Sequence, residues 1–370
     1  MSALFHPLRV RSIRPDTAEA VVVAFDVPPD LREVFGFTQG QYLTLRTKID
    51  GHEVRRSYSI CAGVDDGELR VGVRQVAGGV FSNWINRQLR EGDVIDVMAP
   101  QGRFFVPLDP ASHRHHVGFA GGSGITPILS IAKTVLAREP HSRFTLVYGN
   151  RRLASTMFKE ELEDLKNKYI ARLAIHHVFS DEPGDGSPLL NGVLERHKIG
   201  ALLDTLIPPA TIAEAYVCGP FAMNDEAEAA LLAAGVPEQR IHIERFGIAP
   251  QSGAAGEAGA GGSVDAIVHA AAPGDADEAR VTIIRDGLRR EVVFRRDQPS
   301  ILDCATAAGL EMPYSCTSGV CGTCRAKLID GQVRMERNFA LDKQEVAAGF
   351  VLTCQAHPLT ERVTLSFDDR

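Results

Sequence analysis

The first 110 residues alternate between short hydrophobic segments and turn-forming residues. The segments AEAVVVAFDVP, QYLTLRTKID, EVRRSYSI and GELRVGVRQV are rich in Val, Leu, Ile and Tyr, and Gly, Pro and Asp separate them. Short strands at this spacing are typical of a small antiparallel barrel. The pattern therefore predicts an antiparallel β-barrel domain over residues 1–110, with one short helix in GGVFSNWINRQL.

From residue 111 to 247, hydrophobic strands alternate with helices. The segment HHVGFAGGSGITPILSIAKTVLA has the pattern of a strand, a Gly-rich turn and a helix, and RFTLVYGN, TMFKEELEDLKNKY and EAYVCGP continue the alternation. Alternating β and α elements of this kind form parallel sheets covered by helices. We therefore predict an α/β domain with a doubly wound parallel sheet over residues 111–247.

The rest of the chain divides into a linker and a small domain. Small and polar residues dominate 248–279, which predicts a flexible linker. Residues 280–370 open with VTIIRDGLRREVVF, a predicted β-hairpin, and continue with SILDCATAAG, a predicted helix. Ser300 is the expected N-cap of that helix, because serine accepts a hydrogen bond from the first turn.

Length, charge and cysteine count exclude some classes of function. A chain of 370 residues is expected to form two or three domains. Its net charge of −7 disfavours nucleic acid as a partner, because phosphate binding requires a basic surface. No apolar run reaches the roughly 18 residues of a membrane span, and MSALFHPLRVRSIRP lacks the apolar core of a signal peptide. Seven unevenly placed cysteines then indicate a cytoplasmic protein with cysteine-bound cofactors.

Four of the cysteines have the spacing of an iron–sulfur site. Cys316, Cys321 and Cys324 are separated by four and two residues, and Cys354 follows about thirty residues later. This is the plant-type spacing for a [2Fe–2S] cluster. Gly319 and Gly322 would allow the loop to turn tightly around the cluster. Zinc is the alternative, but zinc ribbons usually contain two CxxC pairs and this chain has one.

The segments PYSCTSGVCGTCRAKLIDGQV and VLTCQAHP resemble the C-terminal ferredoxin domain of oxygenase reductases. The tail beginning GQVRMERNFALDKQEVAAGF is similar to that of the reductase subunits of phenylacetyl-CoA epoxidases, and the resemblance covers nearly the whole chain. It implies an α+β β-grasp domain at the C-terminus, with the four cysteines named above as cluster ligands. It also implies electron transfer from NAD(P)H through FAD and the cluster to the oxygenase subunits of a multicomponent complex.

The segment Arg56–Ser59 resembles the RxYS motif of the ferredoxin–NADP reductase family. The resemblance implies that Arg56 pairs with a flavin phosphate, that Tyr58 stacks on the isoalloxazine and that Ser59 reaches its N5 edge. A guanidinium suits a phosphate because its donors form a fixed fork. A polar strand end with a core tyrosine is the alternative for this motif alone.

A second motif also predicts a flavin-binding site. Gly78 and Gly79 precede the short predicted helix, where exposed N–H groups can bind an anion, and Ser82 follows. In the resembling family this GGxxS turn binds the flavin pyrophosphate. We expect FAD, although some relatives with this domain order contain FMN.

Two turns of the α/β domain are candidates for binding NAD(P)H. In AGGSGITP, glycines at a helix N-terminus would let the backbone approach a pyrophosphate. A later strand ends in a CGP turn, which lies beside the nicotinamide in the resembling family. Phe246 is either a cover for the flavin ring or a core aromatic. The candidate residues of the two turns are Gly121, Gly122, Gly124, Thr126, Cys218, Gly219 and Pro220.

The choice of nicotinamide is left open by the residues themselves. Arg151 and Arg152 could bind the 2′-phosphate of NADPH, whereas Asp181 would repel it. The family resemblance favours NADPH. No side chain is assigned as a catalytic acid or base, because the cofactors supply the chemistry.

Other functions are also compatible with parts of this pattern. Within the same class, the partner could be another aromatic-ring oxygenase. In other classes, the chain could be a redox sensor without turnover or a zinc-stabilised binding protein. The run from His113 to His116 has no carboxylate or cysteine nearby in sequence, so it is interpreted as a solvated strand entry and not as a metal site.

Overall fold

The computed structural model describes residues 4–182, 188–246 and 271–369. Its chain divides into two compact units. One comprises residues 7–54 and 58–246, and the other comprises residues 4–6 and 55–57 with the described residues from 271 onward.

The first domain is a six-stranded barrel. Its strands are β1 (Phe5–Thr17), β2 (Ala20–Asp26), β3 (Tyr42–Ile49), β4 (His52–Ser59), β5 (Leu69–Arg74) and β6 (Val94–Met98), and they lie in the order β4-β3-β6-β1-β2-β5. An antiparallel bridge between Ile60 and Val71 joins the two edges, so the sheet closes on itself. The helix α1 (Val80–Arg87) follows β5. The barrel is as predicted, but the segment-by-segment pattern misses β1 and β6.

The second domain has a parallel sheet with helices between its strands. Its elements are β7 (His115–Gly121), α2 (Ile125–Arg138), β8 (Arg143–Asn150), α3 (Lys159–Lys168), β9 (Leu173–Phe179), α4 (Arg196–Thr205), β10 (Glu214–Gly219), α5 (Phe221–Ala233) and β11 (Ile241–Arg245). The strand order is β11-β10-β7-β8-β9, and every neighbouring pair is parallel. The order reverses between β7 and β10, and open α/β sheets bind ligands at such a reversal.

Hydrophobic side chains cover both faces of this sheet. One core cluster includes Ile128 of α2 and Leu162 of α3, and a separate cluster includes Leu202 of α4 and Leu231 of α5. Helices on both faces confirm the predicted doubly wound domain.

The C-terminal domain has a mixed sheet. Its elements are β12 (Glu278–Arg285), β13 (Leu288–Arg295), α6 (Ile301–Ala307), β14 (Arg325–Asp330), β15 (Val333–Met335), α7 (Lys343–Ala347), β16 (Phe350–Leu352), β17 (Ala356–Pro358) and β18 (Arg362–Ser366). The main sheet has the order β13-β12-β18-β14-β16, with β12 and β18 parallel. Ser300 caps α6 as predicted, because its Oγ accepts a hydrogen bond from the Asp303 N–H at 3.2 Å.

The end of the predicted linker is ordered where the structure describes it. Asp275 is buried, and its carboxylate forms two hydrogen bonds with the Arg334 guanidinium at 3.0 and 2.7 Å. Strand β12 already begins at Glu278. Residues 271–279 therefore belong to the C-terminal domain, and residues 248–270 of the predicted linker lie outside the described residues.

Two histidines depart from the interpretation of a solvated strand entry. His115 and His116 are buried at the start of β7. The His116 imidazole lies 3.1 Å from a Glu139 carboxylate oxygen, and His115 lies 2.9 Å from the Thr145 hydroxyl. The interpretation was wrong for this pair, because tertiary partners in other elements satisfy imidazoles that the local sequence leaves without partners.

None of the helices in the described residues has the length and apolar character needed to cross a bilayer.

Candidate functional site

The four cysteines of the predicted cluster site come together in the C-terminal domain. Cys316, Cys321 and Cys324 lie in the loop between α6 and β14, and Cys354 lies between β16 and β17. Cys324 and Cys354 are buried, whereas Cys316 and Cys321 keep some exposure. Cys316 and Cys321 are therefore partly accessible at the surface of the domain, whereas the other two cysteines lie in its interior.

The cysteine sulfurs are arranged as two pairs. Cys316 and Cys321 share a hydrogen bond, as do Cys324 and Cys354. Two pairs fit a [2Fe–2S] cluster, in which each iron takes two cysteine ligands.

Backbone N–H groups point at the sulfurs of this loop. The N–H groups of Ser318 and Cys321 donate to Cys316 Sγ at 3.4 and 3.3 Å, and the N–H of Thr323 donates to Cys321 Sγ at 3.5 Å. The hydrogen bond from Cys321, together with these amides, holds the pKa of Cys316 well below its usual range. The loop is therefore built to stabilise sulfur in its anionic form, which is the form that binds metal.

Left-handed backbone positions give the loop its tight path. Gly319 and Gly322 have φ values of +78° and +72°, as expected for residues without a Cβ. Thr317 also has a positive φ of 52°, and its carbonyl accepts a hydrogen bond of 2.9 Å from Gln355 Nε2. Gln355 follows Cys354 directly, so this bond joins the loop to the segment with the fourth cysteine.

The predicted flavin residues lie at the end of β4 and the start of α1. Arg56 and Tyr58 share one face of β4, since side chains alternate along a strand. The ring of Tyr58 lies 6.0 Å from the ring of Phe81 in α1, so the two motifs are neighbours. Gly78 has a φ of +71° and Gly79 begins α1.

The turn before α1 suits a close approach by an anion. A Cβ added to Gly79 would lie 2.8 Å from Ser82 Oγ, so the position requires glycine. Ser82 Oγ accepts a hydrogen bond of 3.2 Å from the Val76 N–H, which closes the turn. The N-cap residue of α1 is Gly79, so no N-cap side chain satisfies the N–H groups of the first turn.

Ser59 is joined to a carboxyl group that the sequence did not indicate. Its hydroxyl donates a hydrogen bond of 3.3 Å to Glu244 Oε2 on β11. Burial of the carboxyl raises the pKa of Glu244 from 4.5 to about 8. The only sequence signal was an acidic residue at the carboxyl end of a parallel strand, where ligands bind.

The two predicted nucleotide turns contact each other at the reversal point of the parallel sheet. A Cβ on Gly124 would lie 2.0 Å from the Cys218 carbonyl oxygen, and one on Gly121 would lie 2.8 Å from Pro220 Cδ. The Cα of Gly121 is also 3.1 Å from the Cβ position of Gly219. These glycines therefore let the ends of β7 and β10 approach closely, beside the N-terminus of α2.

Three remaining candidates have different surroundings. Thr126 is buried, and its hydroxyl donates to the Ser123 carbonyl at 3.0 Å, so it closes the Gly-rich turn. Cys218 is fully buried, which raises the pKa of its thiol well above the usual range. Phe246 is partly buried and packs against the core under the sheet, and its role beside a flavin stays a prediction.

Comparison with family models identifies three domains. A model described as an oxidoreductase FAD-binding domain matches residues 10–106. A model for an oxidoreductase NAD-binding domain matches 119–229, and a model for a 2Fe-2S iron-sulfur cluster binding domain matches 283–359. The predicted cofactors, FAD, NAD(P)H and a [2Fe–2S] cluster, are thereby confirmed at the level of domains.

Two curated relatives align with this chain over nearly its full length. It is 43% identical to one of the subunits of the 1,2-phenylacetyl-CoA epoxidase of Escherichia coli (strain K12), over 98% of each chain. It is 33% identical to the ferredoxin reductase component of 3-ketosteroid-9-alpha-monooxygenase of Rhodococcus rhodochrous, over 97% of this chain and 96% of that one. Phthalate dioxygenase reductase, described as a modular structure for electron transfer from pyridine nucleotides to [2Fe–2S], has the same fold, with a TM-score of 0.58, 23% identity and 98% of each chain covered.

Substitution of a cluster ligand should remove the iron. Full-length protein purified anaerobically is expected to contain about two irons and two acid-labile sulfides per chain. Cys321→Ala should lose most of both, because alanine supplies no ligand atom. Cys304→Ala is the control, since Cys304 is a buried cysteine whose thiol donates to the Val293 carbonyl. Full iron content in Cys321→Ala, or equal loss in Cys304→Ala, would contradict the assignment.

Glu244 should make stability depend on pH. In the folded protein its carboxyl keeps a proton up to about pH 8, whereas in the unfolded chain it loses the proton near 4.5. The folded state therefore binds more protons in this window, and stability falls as pH rises through it. Glu244→Gln removes this loss, so the Tm of the variant should exceed that of the native chain by a margin that grows from pH 5 to pH 8.

The control for that measurement is Glu33→Gln, at an exposed position. It should leave the pH dependence of Tm as it is in the native chain. A Glu244→Gln profile parallel to the native one would show that the carboxyl is ionised at neutral pH.

Proposed function

The chain belongs to the family of oxygenase reductase components that includes a component of 1,2-phenylacetyl-CoA epoxidase, and from this premise we propose that it supplies electrons from NADPH to a phenylacetyl-CoA epoxidase. It is an NAD(P)H-dependent oxidoreductase with FAD-binding and [2Fe–2S] domains. The 43% identity along the whole chain is the observation that supports this partner. A different aromatic-ring oxygenase is the second candidate, because relatives at 33% identity serve another monooxygenase.

In the proposed path of electron transfer, each of the three domains binds one cofactor. The barrel residues would hold a flavin, which would supply hydride acceptance from the nicotinamide, and the four cysteines would hold a [2Fe–2S] cluster, which would supply one-electron transfer. We assign the flavin to 1–110, the nucleotide to 111–247 and the cluster to the C-terminal domain from residue 271 onward, with 248–270 as the linker before it. In this scheme the cysteine pairs hold the cluster, and their amide donors favour its anionic sulfurs.

The residues near β4 and α1 would hold the flavin. Arg56 would pair with a flavin phosphate, and the N–H groups after Gly79 would bind its pyrophosphate. Tyr58 would lie against the ring system, supported by its contact with Phe81. Phe246 remains the candidate for covering the ring.

Ser59 and Glu244 would transfer the proton that accompanies electron transfer. A carboxyl with a pKa of about 8 can release and take up a proton near neutral pH. Ser59 donates to this carboxyl and belongs to the motif that would hold the flavin, and its hydroxyl could relay a proton because a hydroxyl both donates and accepts.

The backbone of the two nucleotide turns would bind the pyrophosphate and place the nicotinamide. The Gly-rich turn leads into α2, a 14-residue helix whose N-cap, Gly124, has no side chain, and the positive end of the helix dipole would favour a pyrophosphate at this turn. Gly219 and Pro220 would flank the nicotinamide from β10.

Two arginines support NADPH over NADH. Arg151 and Arg152 follow β8 and are exposed, and neither has a carboxylate partner within the described residues. Nearby carboxylates already have donors: Asp181 accepts from the Ser180 hydroxyl at 2.7 Å, and Glu182 accepts from the Leu153 N–H at 2.7 Å. The guanidinium groups are thus the available partners for a 2′-phosphate.

We also propose a cytoplasmic location. No disulfide joins the cysteines in the described part of the chain, and a reducing compartment would keep their thiols available as ligands.

Reconstitution tests the partner. Full-length protein, NADPH and the oxygenase subunits of a phenylacetyl-CoA epoxidase should consume phenylacetyl-CoA, and the rate should depend on this chain. Reduction of an artificial one-electron acceptor by NADPH is the parallel assay. Normal acceptor reduction without phenylacetyl-CoA turnover would contradict the proposed partner, and an absence of acceptor reduction would contradict the reductase function.

The arginines should decide between the two nicotinamides. In Arg151→Ala and Arg152→Ala combined, the KM for NADPH should rise about tenfold or more, because charge-assisted bonds to the 2′-phosphate are lost. The KM for NADH should change little. Arg196→Ala, at an exposed arginine paired with Glu226, is the control. Equal changes for both nucleotides would show that the arginines do not contact the 2′-phosphate.

A further inference from the structure

The backbone at the start of α3 is held by a carboxylate from the barrel. Phe158 precedes α3 with φ 57° and ψ 27°, a left-handed conformation that bulky residues rarely adopt. Its N–H donates to both carboxylate oxygens of Asp16 on β1, each at 3.1 Å. Phe158, the N-cap residue of α3, has no side-chain cap bond of its own. The conformation of Phe158 therefore depends on a residue 142 positions away, in the other domain of the same unit.

The ring of Phe158 is fixed as tightly as its backbone. It is 2% exposed, and a Cβ added to Gly72 of β5 would lie 2.8 Å from its Cζ. The same Cβ would lie 2.9 Å from the Thr126 methyl group. Strand β5 of the barrel thus packs directly on the starts of both α2 and α3.

A buried tyrosine continues this connection to the Gly-rich turn. The Tyr148 hydroxyl is 3.0 Å from the Gly122 carbonyl and 3.4 Å from the Met157 carbonyl. Tyr148 is fully buried, and burial raises the pKa of its phenol, so the hydroxyl stays a donor. Contacts therefore run from Asp16 through Phe158 and Met157 to Tyr148 and Gly122.

We propose that Asp16 is a positioning residue for the nicotinamide nucleotide, which fixes the Gly122 turn and the Arg151–Phe158 segment relative to the flavin barrel. This inference rests on the proposed function, in which that turn binds the pyrophosphate. NADPH and NADH share the pyrophosphate, so loss of the Asp16 contact weakens both. The arginine pair differs, because it acts on NADPH alone.

The test measures binding and turnover in the full-length protein with its cofactors. NADP⁺ and NAD⁺ are titrated while the flavin absorbance is recorded, and NADPH oxidation is measured with an artificial acceptor. Asp16→Ala should raise both dissociation constants about tenfold, with kcat at saturating NADPH within about twofold of the native value. Asp16→Asn keeps one acceptor oxygen and should recover most of the affinity.

Tyr148→Phe tests the second half of the connection with a nearly isosteric change. It should also weaken both nucleotides, by several-fold. The double variant Asp16→Ala, Tyr148→Phe should lose less affinity than the product of the two single effects, because both side chains hold the same segment.

Asp65→Ala is the matched control. Asp65 pairs with Arg138 of α2 at 2.8 Å, so it also joins the barrel to the nucleotide domain, but both side chains are about half exposed. Such a pair contributes little, and both nucleotide affinities should stay within about twofold of native.

Specific outcomes would overturn the proposal. These are native affinities in Asp16→Ala and Tyr148→Phe, an equal loss in Asp65→Ala, or a loss of kcat and flavin without a change in nucleotide affinity. If the native protein neither binds NADP⁺ nor oxidises NADPH, the proposed function fails and this inference fails with it. If the native protein binds normally and the Asp16 variants match it, only the inference fails.

Discussion

Four cysteine sulfurs can share a small buried loop as thiolates only if positive charge binds them together. Buried anions without compensation are costly, so four thiolates this close together need bound cations to neutralise them. Here the sulfurs form two pairs, Cys316 with Cys321 and Cys324 with Cys354. A two-iron cluster satisfies both pairs at once, and this requirement makes the C-terminal domain the outlet for electrons.

The other unit meets a different requirement, because hydride transfer needs two reacting groups in close and fixed geometry. The barrel and the parallel sheet are joined where both would meet their cofactors. Ser59 of the barrel contacts Glu244 at the end of β11, and Asp16 contacts Phe158 at the start of α3. Ion pairs such as the 2.8 Å pair between Arg138 and Asp65 add to this junction at the surface. The proposed flavin and nucleotide sites are thus parts of one structure.

Features set by local spacing could be predicted from the sequence, whereas features set by distant contacts could not. The single loop that contains Cys316, Cys321 and Cys324, the Ser300 cap and the tight path at Gly319 follow from residues a few positions apart. Glu244 was missed because its partner Ser59 is 185 residues away. The burial of His116 was missed for the same reason, since its partners Glu139 and Tyr216 lie on other elements. Strands β1 and β6 were missed because they complete a barrel whose pairing is non-local.

An anaerobic reductive titration of the full-length protein with dithionite tests the central claim most directly, with flavin content measured on the same sample. If the paired cysteines hold a [2Fe–2S] cluster, each chain will take up one electron beyond the capacity of its flavin, with loss of visible absorption that the flavin does not explain. Electron uptake that stops at the capacity of the flavin would contradict the claim that the C-terminal domain binds an iron–sulfur cluster.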